Sequence, residues 1–402
     1  MFDVNSVRRV YPALAGQVHG KPLVYLDNAA TAQIPQPVWD AVGRVELRRG
    51  NVHRGIHAVS EECTAAYEAA RVTVADHIGA RPEQIRFTSG TTDAVNQTAD
   101  WLRTQLRPGD RVAVTRMEHH SNFVPWQQIC LETGAEFIIL PLTASGDLDM
   151  GAVQRLFAPG VRLVAAAHSS NVLGTVNDIP VLAELAHKAG GLLFVDGAQG
   201  ICHENVDVNA LNCDFYAFSG HKLGAPFGIG ALYAHSPLPP ARFGGGMVDE
   251  VSDDRTTFAV PPQSGEAGTP NVSGAVGLAA ALDFRRNLPE GWQAWEDALL
   301  EQLEQGLRTM EGVHILGQPR RRSGCLSFAV DGASPYDIAV LLDQLGIAVR
   351  SGHHCAQPLL RSLGQEYALR ISPAFYNTPE EIDVLLNGLR RVLPLCTAAS
   401  QR

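Results

Sequence analysis

The chain has 402 residues, of which 45% are hydrophobic and only 18% are charged, and its formal net charge at pH 7 is −10. This length predicts two domains, and this composition excludes a largely disordered chain because it can build a sizeable core. The basic run Arg320–Arg322 is too short for a nucleic-acid-binding patch, and no apolar run reaches the roughly 20 residues that span a bilayer. Since the first residues also lack the apolar segment of a signal peptide, we expect a cytoplasmic protein that binds neither nucleic acid nor membrane.

From about residue 20 to residue 235, short apolar runs alternate with helical patterns. The strand-like runs are Gln84–Phe87, Arg111–Val114, Phe137–Leu140, Leu163–Ala166, Leu192–Val195 and Phe215–Phe218. This alternation predicts βαβ units, and hence an α/β fold whose large domain has a mostly parallel sheet flanked by helices. Ligands bind beyond the carboxyl ends of the strands in such sheets, so we expect the residues that follow the strands to share one rim.

The alternation stops at residues 236–270, which are rich in proline and glycine and are predicted to be long loops. Beyond them the chain has further helical patterns and two strand-like runs, at Cys325–Val330 and Gly346–Arg350. We therefore predict a large domain over residues 21–270 and a smaller C-terminal α/β domain over residues 271–402. The N-terminal segment 1–20 is expected to pack on the smaller domain.

Asp196 and Lys222 follow two successive predicted strands. A lysine in apolar surroundings is expected to have a lowered pKa, which frees its amine to form a Schiff base with an aldehyde. A carboxylate nearby can keep a pyridine nitrogen protonated. Either residue alone would be an ordinary strand-end carboxylate or a solvated lysine, but the pair predicts a binding site for pyridoxal phosphate (PLP).

A phosphate site is predicted at Ser89-Gly90-Thr91-Thr92, where a strand turns into a helix. The threonine hydroxyls and the free N–H groups at the positive end of the helix can bind an anion. An ordinary N-cap is the alternative for this segment, and the Asp196–Lys222 pair favours the phosphate.

His119 and His120 follow another strand without the i, i+4 spacing of helical metal ligands. One of these imidazoles could stack on a flat cofactor, and a surface or helix-start position is the alternative.

Cys355 and Arg370 are candidates for chemistry on the substrate. Cys355 is one of seven widely spaced cysteines without a C-x-x-C pair, a usage that favours a reducing compartment over zinc ligation or disulfides. It follows a strand beside His353 and His354, which can stabilise a thiolate, and local sequence leaves open whether it is a nucleophile. Arg370 lies in an apolar strand-like run and needs an anion, which a substrate carboxylate or a structural salt bridge would supply.

Together these motifs resemble those of the group II cysteine desulfurases (the SufS and CsdA type) in the class V aminotransferase family of PLP enzymes. The likeness covers nearly the whole chain, through Leu26–Ala30, Asn51–Arg54, Gly90–Thr92, Met117–His120, Ser170–Gly174, Asp196–Gln199, Ser219–Lys222, Glu266–Asn271 and Arg350–Pro358. The segment His354–Leu360 is closer to the CsdA branch. The resemblance implies the type I fold of PLP-dependent transferases. It also implies conversion of L-cysteine to L-alanine, with the sulfur left as a persulfide on Cys355.

The resemblance implies a role for each matched residue. Lys222 would bind PLP covalently and act as the base, Asp196 would bond the pyridine nitrogen and Gln199 the ring oxygen. His120 would stack on the ring as a further catalytic residue. The phosphate would be held by Thr91, Thr92, Ser219 and His221, and by Thr269 from the second subunit of a homodimer. The substrate would be bound by Asn171 and Arg370 at its carboxylate, and by His53 and Arg350.

The chain departs from the family pattern at two places. After Lys222 the family usually has Leu-Tyr-Gly-Pro-Thr-Gly, where this chain has Leu-Gly-Ala-Pro-Phe-Gly over residues 223–228, and Gly265 stands where an aromatic residue is usual. Neither departure removes a chemical group from the mechanism. The alternatives are a selenocysteine lyase or another class V reaction, and a non-catalytic sulfur carrier, against which the intact Lys222 argues. A cysteine desulfurase would also need a sulfur-acceptor protein.

Overall fold

The computed structural model describes residues 2–157 and 160–400. Its strands are β1 (Gln17–Val18), β2 (Lys21–Pro22), β3 (Val24–Tyr25), β4 (Ile85–Thr88), β5 (Arg111–Thr115), β6 (Glu136–Leu140), β7 (Val161–Ala167), β8 (Leu192–Asp196), β9 (Phe215–Ser219), β10 (Gly230–Ala234), β11 (Val248–Val251), β12 (Thr256–Phe258), β13 (Val313–Ile315), β14 (Leu326–Val330), β15 (Ile347–Ala348), β16 (Arg350–Gly352) and β17 (Ala368–Ile371). Its α-helices are α1 (Val4–Arg8), α2 (Gln36–Leu47), α3 (Ala58–His77), α4 (Thr91–Arg103), α5 (Val124–Thr133), α6 (Met150–Leu156), α7 (Ile179–Lys188), α8 (Gly200–His203), α9 (Val208–Leu211), α10 (Val272–Arg286), α11 (Trp292–Arg308), α12 (Pro335–Asp343), α13 (Gln357–Ser362) and α14 (Pro379–Ser400).

The central sheet has the strand order β4-β10-β9-β8-β7-β5-β6. The pairs from β9 through β8, β7 and β5 to β6 are parallel, and β10 is antiparallel to both of its neighbours. Every residue of β9 is buried, which explains why its sequence is a continuous apolar run rather than an alternating one. The prediction of an α/β fold with a mostly parallel sheet is confirmed. The carboxyl ends of β4, β5, β7, β8 and β9 therefore lie along one rim.

Local sequence shapes this rim where β4 turns into α4. Gly90 joins the two elements with a φ of 147°, which only glycine adopts readily. A β-carbon at this position would lie 3.0 Å from the Ser219 hydroxyl oxygen, so the glycine also lets the turn approach the end of β9. The first turn of α4 is thus brought beside the residues that follow the neighbouring strands.

A second, antiparallel sheet has the order β13-β14-β17-β16 and packs with α11, α12 and α14 around a separate apolar core. β3 pairs in parallel with β15, and Val24 and Leu26 belong to this second core, although the predicted boundary placed them in the large domain. Conversely, α10 packs on α2 and α3 of the large unit. We propose that residues 24–26 be counted with the smaller domain and α10 with the larger one, because each packs against that unit. Neither exchange could be inferred from local sequence patterns.

The N-terminal segment contacts the C-terminal part of the chain. Arg8 pairs with Glu381 at 2.8 Å, and the ring of Tyr11 lies 4.5 Å from that of Tyr376. These contacts support the predicted packing of residues 1–20. Residues 236–270, predicted to be loops, contain the hairpin of β11 and β12. Within the described ranges, no helix is both long and apolar enough to cross a bilayer.

Candidate active site

A cavity of about 220 Å³ lies at the rim of the large sheet, where the second sheet faces it. The predicted site residues that line it are Thr91, Thr92, Asn171, Asp196, Ser219, His221, Lys222, Arg350, Cys355 and Arg370. They come from the ends of β4, β7, β8 and β9 and from the segment around β16 and β17. Residues far apart in sequence thus surround one space, as the strand-end pattern predicts.

Asp196 and Lys222 both line the cavity. Asp196 is the last residue of β8, and Lys222 ends a short 3₁₀ turn directly after β9. Burial raises the pKa of Asp196, which the Lys222 ammonium and the Ala198 N–H oppose. Burial also lowers the pKa of Lys222, and Asp196 only partly offsets this shift. Among the described residues, the Lys222 amine has no hydrogen bond.

The Asp196 carboxylate fits a pyridine nitrogen that carries a proton. Its Oδ1 accepts the Ala198 N–H at 2.9 Å, and no other hydrogen bond to this carboxylate exists in the described ranges. A buried carboxylate with so few donors is costly unless a cation or a donor group joins it. Gln199 is buried next to it, but its side-chain N–H donates to the Ala29 carbonyl at 2.8 Å. The contact expected between Gln199 and a ring oxygen stays a prediction.

Hydroxyl groups and an imidazole cluster at the start of α4. The Ser219 hydroxyl accepts the Thr91 N–H at 2.9 Å and lies 2.9 Å from the Thr91 hydroxyl, while the Thr92 hydroxyl lies 2.6 Å from that of Ser121. His221 Nδ1 is buried without a partner in the described part of the chain. Burial and the Lys222 charge lower the His221 pKa to about 4, so this imidazole is neutral. An unpaired nitrogen beside a helix N-terminus fits a bound phosphate.

Arg350 and Arg370 face each other across β16 and β17. Asp27 pairs with both, at 2.9 Å to Arg370 Nη2 and 3.6 Å to Arg350 Nη1. Arg370 Nη1 also donates to the Asn171 carbonyl at 3.0 Å, yet Arg370 Nε is buried with no partner among the described residues. This remaining donor on a buried guanidinium fits a substrate carboxylate.

His119, rather than His120, lines the cavity. The two residues are adjacent, but a 3₁₀ turn over His120–Asn122 directs their side chains differently. His119 Nδ1 accepts the Ser121 N–H at 3.1 Å, and burial together with the Lys222 charge lowers the His119 pKa to about 3. His120 Nε2 instead accepts the Gln357 N–H at 3.3 Å. The stacking and catalytic role expected of His120 is therefore reassigned to His119, as a proposal.

Besides His120 and Gln199, two further predicted residues do not line this cavity. His53 and Thr269 line a second, smaller cavity of about 170 Å³ together with Gly245 and Gly246. His53 Nε2 lies 2.8 Å from a carboxylate oxygen of Glu68. A residue that is supplied to the other subunit would lie away from the cavity of its own chain, as Thr269 does. The predicted contribution of Thr269 to the other subunit of a homodimer stays a prediction.

The family model described as Aminotransferase class-V matches residues 24–385. The chain belongs to this family. It is 44% identical over 401 residues to a cysteine desulfurase of Cronobacter sakazakii, covering 97% of this chain and 98% of that protein. A crystal structure of the cysteine desulfurase CsdA from Escherichia coli superposes with a TM-score of 0.91 at 40% identity, over 98% of this chain and 100% of the other. The apo structure of a cysteine desulfurase from Thermococcus onnurineus NA1 gives a TM-score of 0.93 at 36% identity, over 98% and 99%.

The chain departs from the usual sequence of this family at Gly265 and Phe227, and the surroundings of each position show what the departure changes. A β-carbon at position 265 would lie 1.9 Å from Arg86 Nε, so the buried Arg86 side chain occupies the space of the usual aromatic residue. Arg86 is held by the Gln97 side chain at 3.0 Å and by the Leu238 carbonyl at 2.9 Å. Phe227 is 76% exposed, with its ring 5.7 Å from that of His221. Phe227 thus lies next to His221 of the main cavity, Gly265 precedes Glu266 of the second cavity described above, and neither Phe227 nor Gly265 lines the main cavity.

Sequence reasoning gave no role to Asp27 or Ser121 and named His354 only as a residue that can stabilise a Cys355 thiolate. Asp27 holds both arginines, although it is 343 positions from Arg370 and nothing local marks the contact. Ser121 orients His119 and lines the cavity. His354 Nε2 donates to the Ala368 carbonyl at 3.0 Å, which leaves its buried Nδ1 without a partner in the described ranges. The family motifs Leu26–Ala30 and Arg350–Pro358 contain Asp27 and His354, whereas Ser121 lies just outside the motif Met117–His120.

We expect Arg370→Lys to raise the KM for L-cysteine by roughly tenfold to a hundredfold, with a smaller effect on kcat. The lysine keeps the positive charge but loses the planar fork that can hold Asp27, the Asn171 carbonyl and a carboxylate together. Steady-state kinetics of alanine formation would measure this. Arg350→Lys is the matched control, because Arg350 is 45% exposed and pairs more loosely. An equal rise in KM for both variants would contradict the assignment.

Proposed function

We propose that the chain is a PLP-dependent cysteine desulfurase that converts L-cysteine to L-alanine and keeps the sulfur as a persulfide on Cys355. The observation that carries the proposal is that Lys222, Asp196, Arg370 and Cys355 all line one cavity. A lysine and a carboxylate suit the cofactor, an arginine suits the substrate carboxylate, and a thiol suits the sulfur. Transamination alone would need no thiol.

When bound, PLP supplies an electron sink that stabilises negative charge at the α-carbon of an amino acid. Lys222 would attach it covalently, Asp196 would hold its pyridine nitrogen, and His119 would lie against its ring. Thr91, Thr92, Ser219 and His221 would bind its phosphate. The buried, unpaired His221 Nδ1 and the sparsely bonded Asp196 carboxylate support this placement.

The residues of the chain would bind the substrate, remove its α-proton and accept its sulfur. Arg370 would fix the substrate carboxylate, and the lowered pKa of Lys222 lets its Nζ take the α-proton. The Cys355 thiolate would then attack the substrate sulfur, so that a sulfur–sulfur bond forms as the carbon–sulfur bond breaks. L-cysteine plus the Cys355 thiol gives L-alanine plus the Cys355 persulfide. Atoms and electrons balance without an external oxidant or reductant.

The proposal includes partners. A sulfur-acceptor protein would remove the sulfur from Cys355, and a homodimer would bring Thr269 and His53 of one subunit to the site of the other. Their position on a separate cavity within one chain supports this arrangement. A cytoplasmic location belongs to the proposal as well, because the cysteine usage suits a reducing compartment.

Mass spectrometry of the PLP-loaded protein after exposure to L-cysteine tests the function. We expect the peptide that contains Cys355 to gain the mass of one sulfur atom, with one alanine formed per sulfur bound. Selenocysteine in place of cysteine gives the comparison that separates a desulfurase from a selenocysteine lyase. Alanine formation from selenocysteine alone, or sulfur on a different cysteine, would overturn the proposal.

A further inference from the structure

We infer that His120 is a positioning residue that holds the catalytic thiol in place, rather than a group that contacts the cofactor. The segment it acts on is the Cys355 loop, defined as residues 353–357. This inference rests on the proposed function, because it concerns how Cys355 is presented to the substrate. It is argued from the backbone of the loop and from the hydrogen bonds around it.

The Cys355 loop has an unusual backbone. His354 and Cys355 are both left-handed, with φ values of 51° and 53°. This conformation is unfavourable for residues other than glycine, so two in succession persist only where surrounding contacts hold them. The direction of the thiol therefore depends on those contacts and not on the intrinsic preference of the chain.

His120 supplies two of these contacts. Its backbone N–H donates to the Cys355 carbonyl at 2.7 Å, and its Nε2 accepts the Gln357 N–H at 3.3 Å. The residue thus spans the loop from the reactive cysteine to the start of α13. His353 complements it, since His353 Nδ1 accepts the Cys355 N–H at 3.1 Å and its ring lies 5.7 Å from that of His120. Both backbone groups of Cys355 are accordingly fixed by histidines.

The contacts join two different parts of the fold. His120 follows β5 of the large sheet, whereas the Cys355 loop connects β16 to α13. Asn171, which follows β7, adds a further contact, because its side-chain N–H donates to the His354 carbonyl at 2.8 Å. An Nε2 that accepts a hydrogen bond must be unprotonated. Burial lowers the His120 pKa, which favours this unprotonated state. The His120 ring nitrogen thus positions the loop relative to the rim that holds Lys222.

The test compares His120→Gln with His120→Asn, since both keep the backbone N–H and a neutral polar side chain. The glutamine oxygen can occupy the position of Nε2, whereas the asparagine oxygen reaches only the position of Nδ1. We expect His120→Asn to lower kcat for alanine formation by roughly tenfold to a hundredfold, with KM changed less than about threefold. His120→Gln should restore most of the rate. PLP content and thermal midpoint should match the wild type in both variants.

A second measurement does not depend on turnover. Alkylation of Cys355 by N-ethylmaleimide, followed on its own peptide, should be roughly threefold to tenfold faster in His120→Asn because the loop opens. Equal rates for Asn, Gln and wild type in both assays would overturn the inference. So would a loss of PLP or a KM effect larger than the kcat effect, since either would place His120 on the cofactor or substrate. If the wild type forms no alanine, the proposed function fails, while the alkylation rates still decide the role of His120.

Discussion

Replacing Lys222 by alanine is expected to lower the rate of alanine formation from L-cysteine by at least about 10³-fold. Two functions would be lost together, namely covalent attachment of the cofactor and removal of the α-proton, and proton transfer by a positioned side chain alone contributes roughly 10²–10⁴-fold. The protein should still fold, because the Lys222 amine makes no hydrogen bond among the described residues. Borohydride reduction followed by peptide mass spectrometry should find PLP on Lys222 in the wild type and on no lysine in the variant.

Lys188→Ala is the matched control for this experiment. Lys188 is 69% exposed near the end of α7, where it pairs with Glu184 on the same helix. Its loss should leave both the rate and the attachment of PLP unchanged, because an exposed pair of this kind contributes little. If Lys222→Ala kept more than about a tenth of the wild-type rate, the roles of Lys222 as anchor and base would both be wrong.

Cys355→Ser is expected to abolish sulfur transfer while PLP stays bound. A serine hydroxyl is not ionised near neutral pH and cannot form a persulfide, so alanine formation in the absence of added thiols should fall by roughly 10³-fold. The substitution changes one atom, and the hydrogen bonds that fix the Cys355 loop involve only the backbone of this residue. Sulfide release and alanine formation, measured with the bound PLP spectrum, would check the result.

The control for the thiol is Cys213→Ala. Cys213 is 3% exposed and does not line the cavity, and burial raises the pKa of its thiol to about 12. This variant should lose about 1 kcal/mol of stability from the small space left behind, but none of its sulfur transfer. Retained turnover in Cys355→Ser, or its loss in Cys213→Ala, would show that sulfur passes through another cysteine.

Much of the site could be predicted because it follows from strand ends. The alternation of apolar runs placed Asp196, Lys222 and Thr91 on one rim, and the parallel sheet brings them together there. The choice between His119 and His120 could not be predicted, since neighbouring residues share every local pattern and only the 3₁₀ turn separates their directions. The pairing of β3 with β15 and the contact of Asp27 with Arg370 were hidden for another reason. Each joins segments more than 300 positions apart and arises where the segment around residues 24–27 packs on the smaller unit.

The position of Asp27 between the two arginines affects which molecules the cavity admits. Two guanidinium groups and one carboxylate leave a single net positive charge, which one further carboxylate would neutralise. A monocarboxylate thus completes the charge balance of this cluster, whereas a second carboxylate bound at the same cluster would make its net charge negative. Before the substrate arrives, Asp27 already serves as counter-ion to Arg370. When the substrate binds, its carboxylate and Asp27 share the Arg370 guanidinium. The binding free energy is therefore the gain from the substrate–arginine pair minus the loss in the Asp27–arginine pair, and is smaller than that of a full arginine–carboxylate pair.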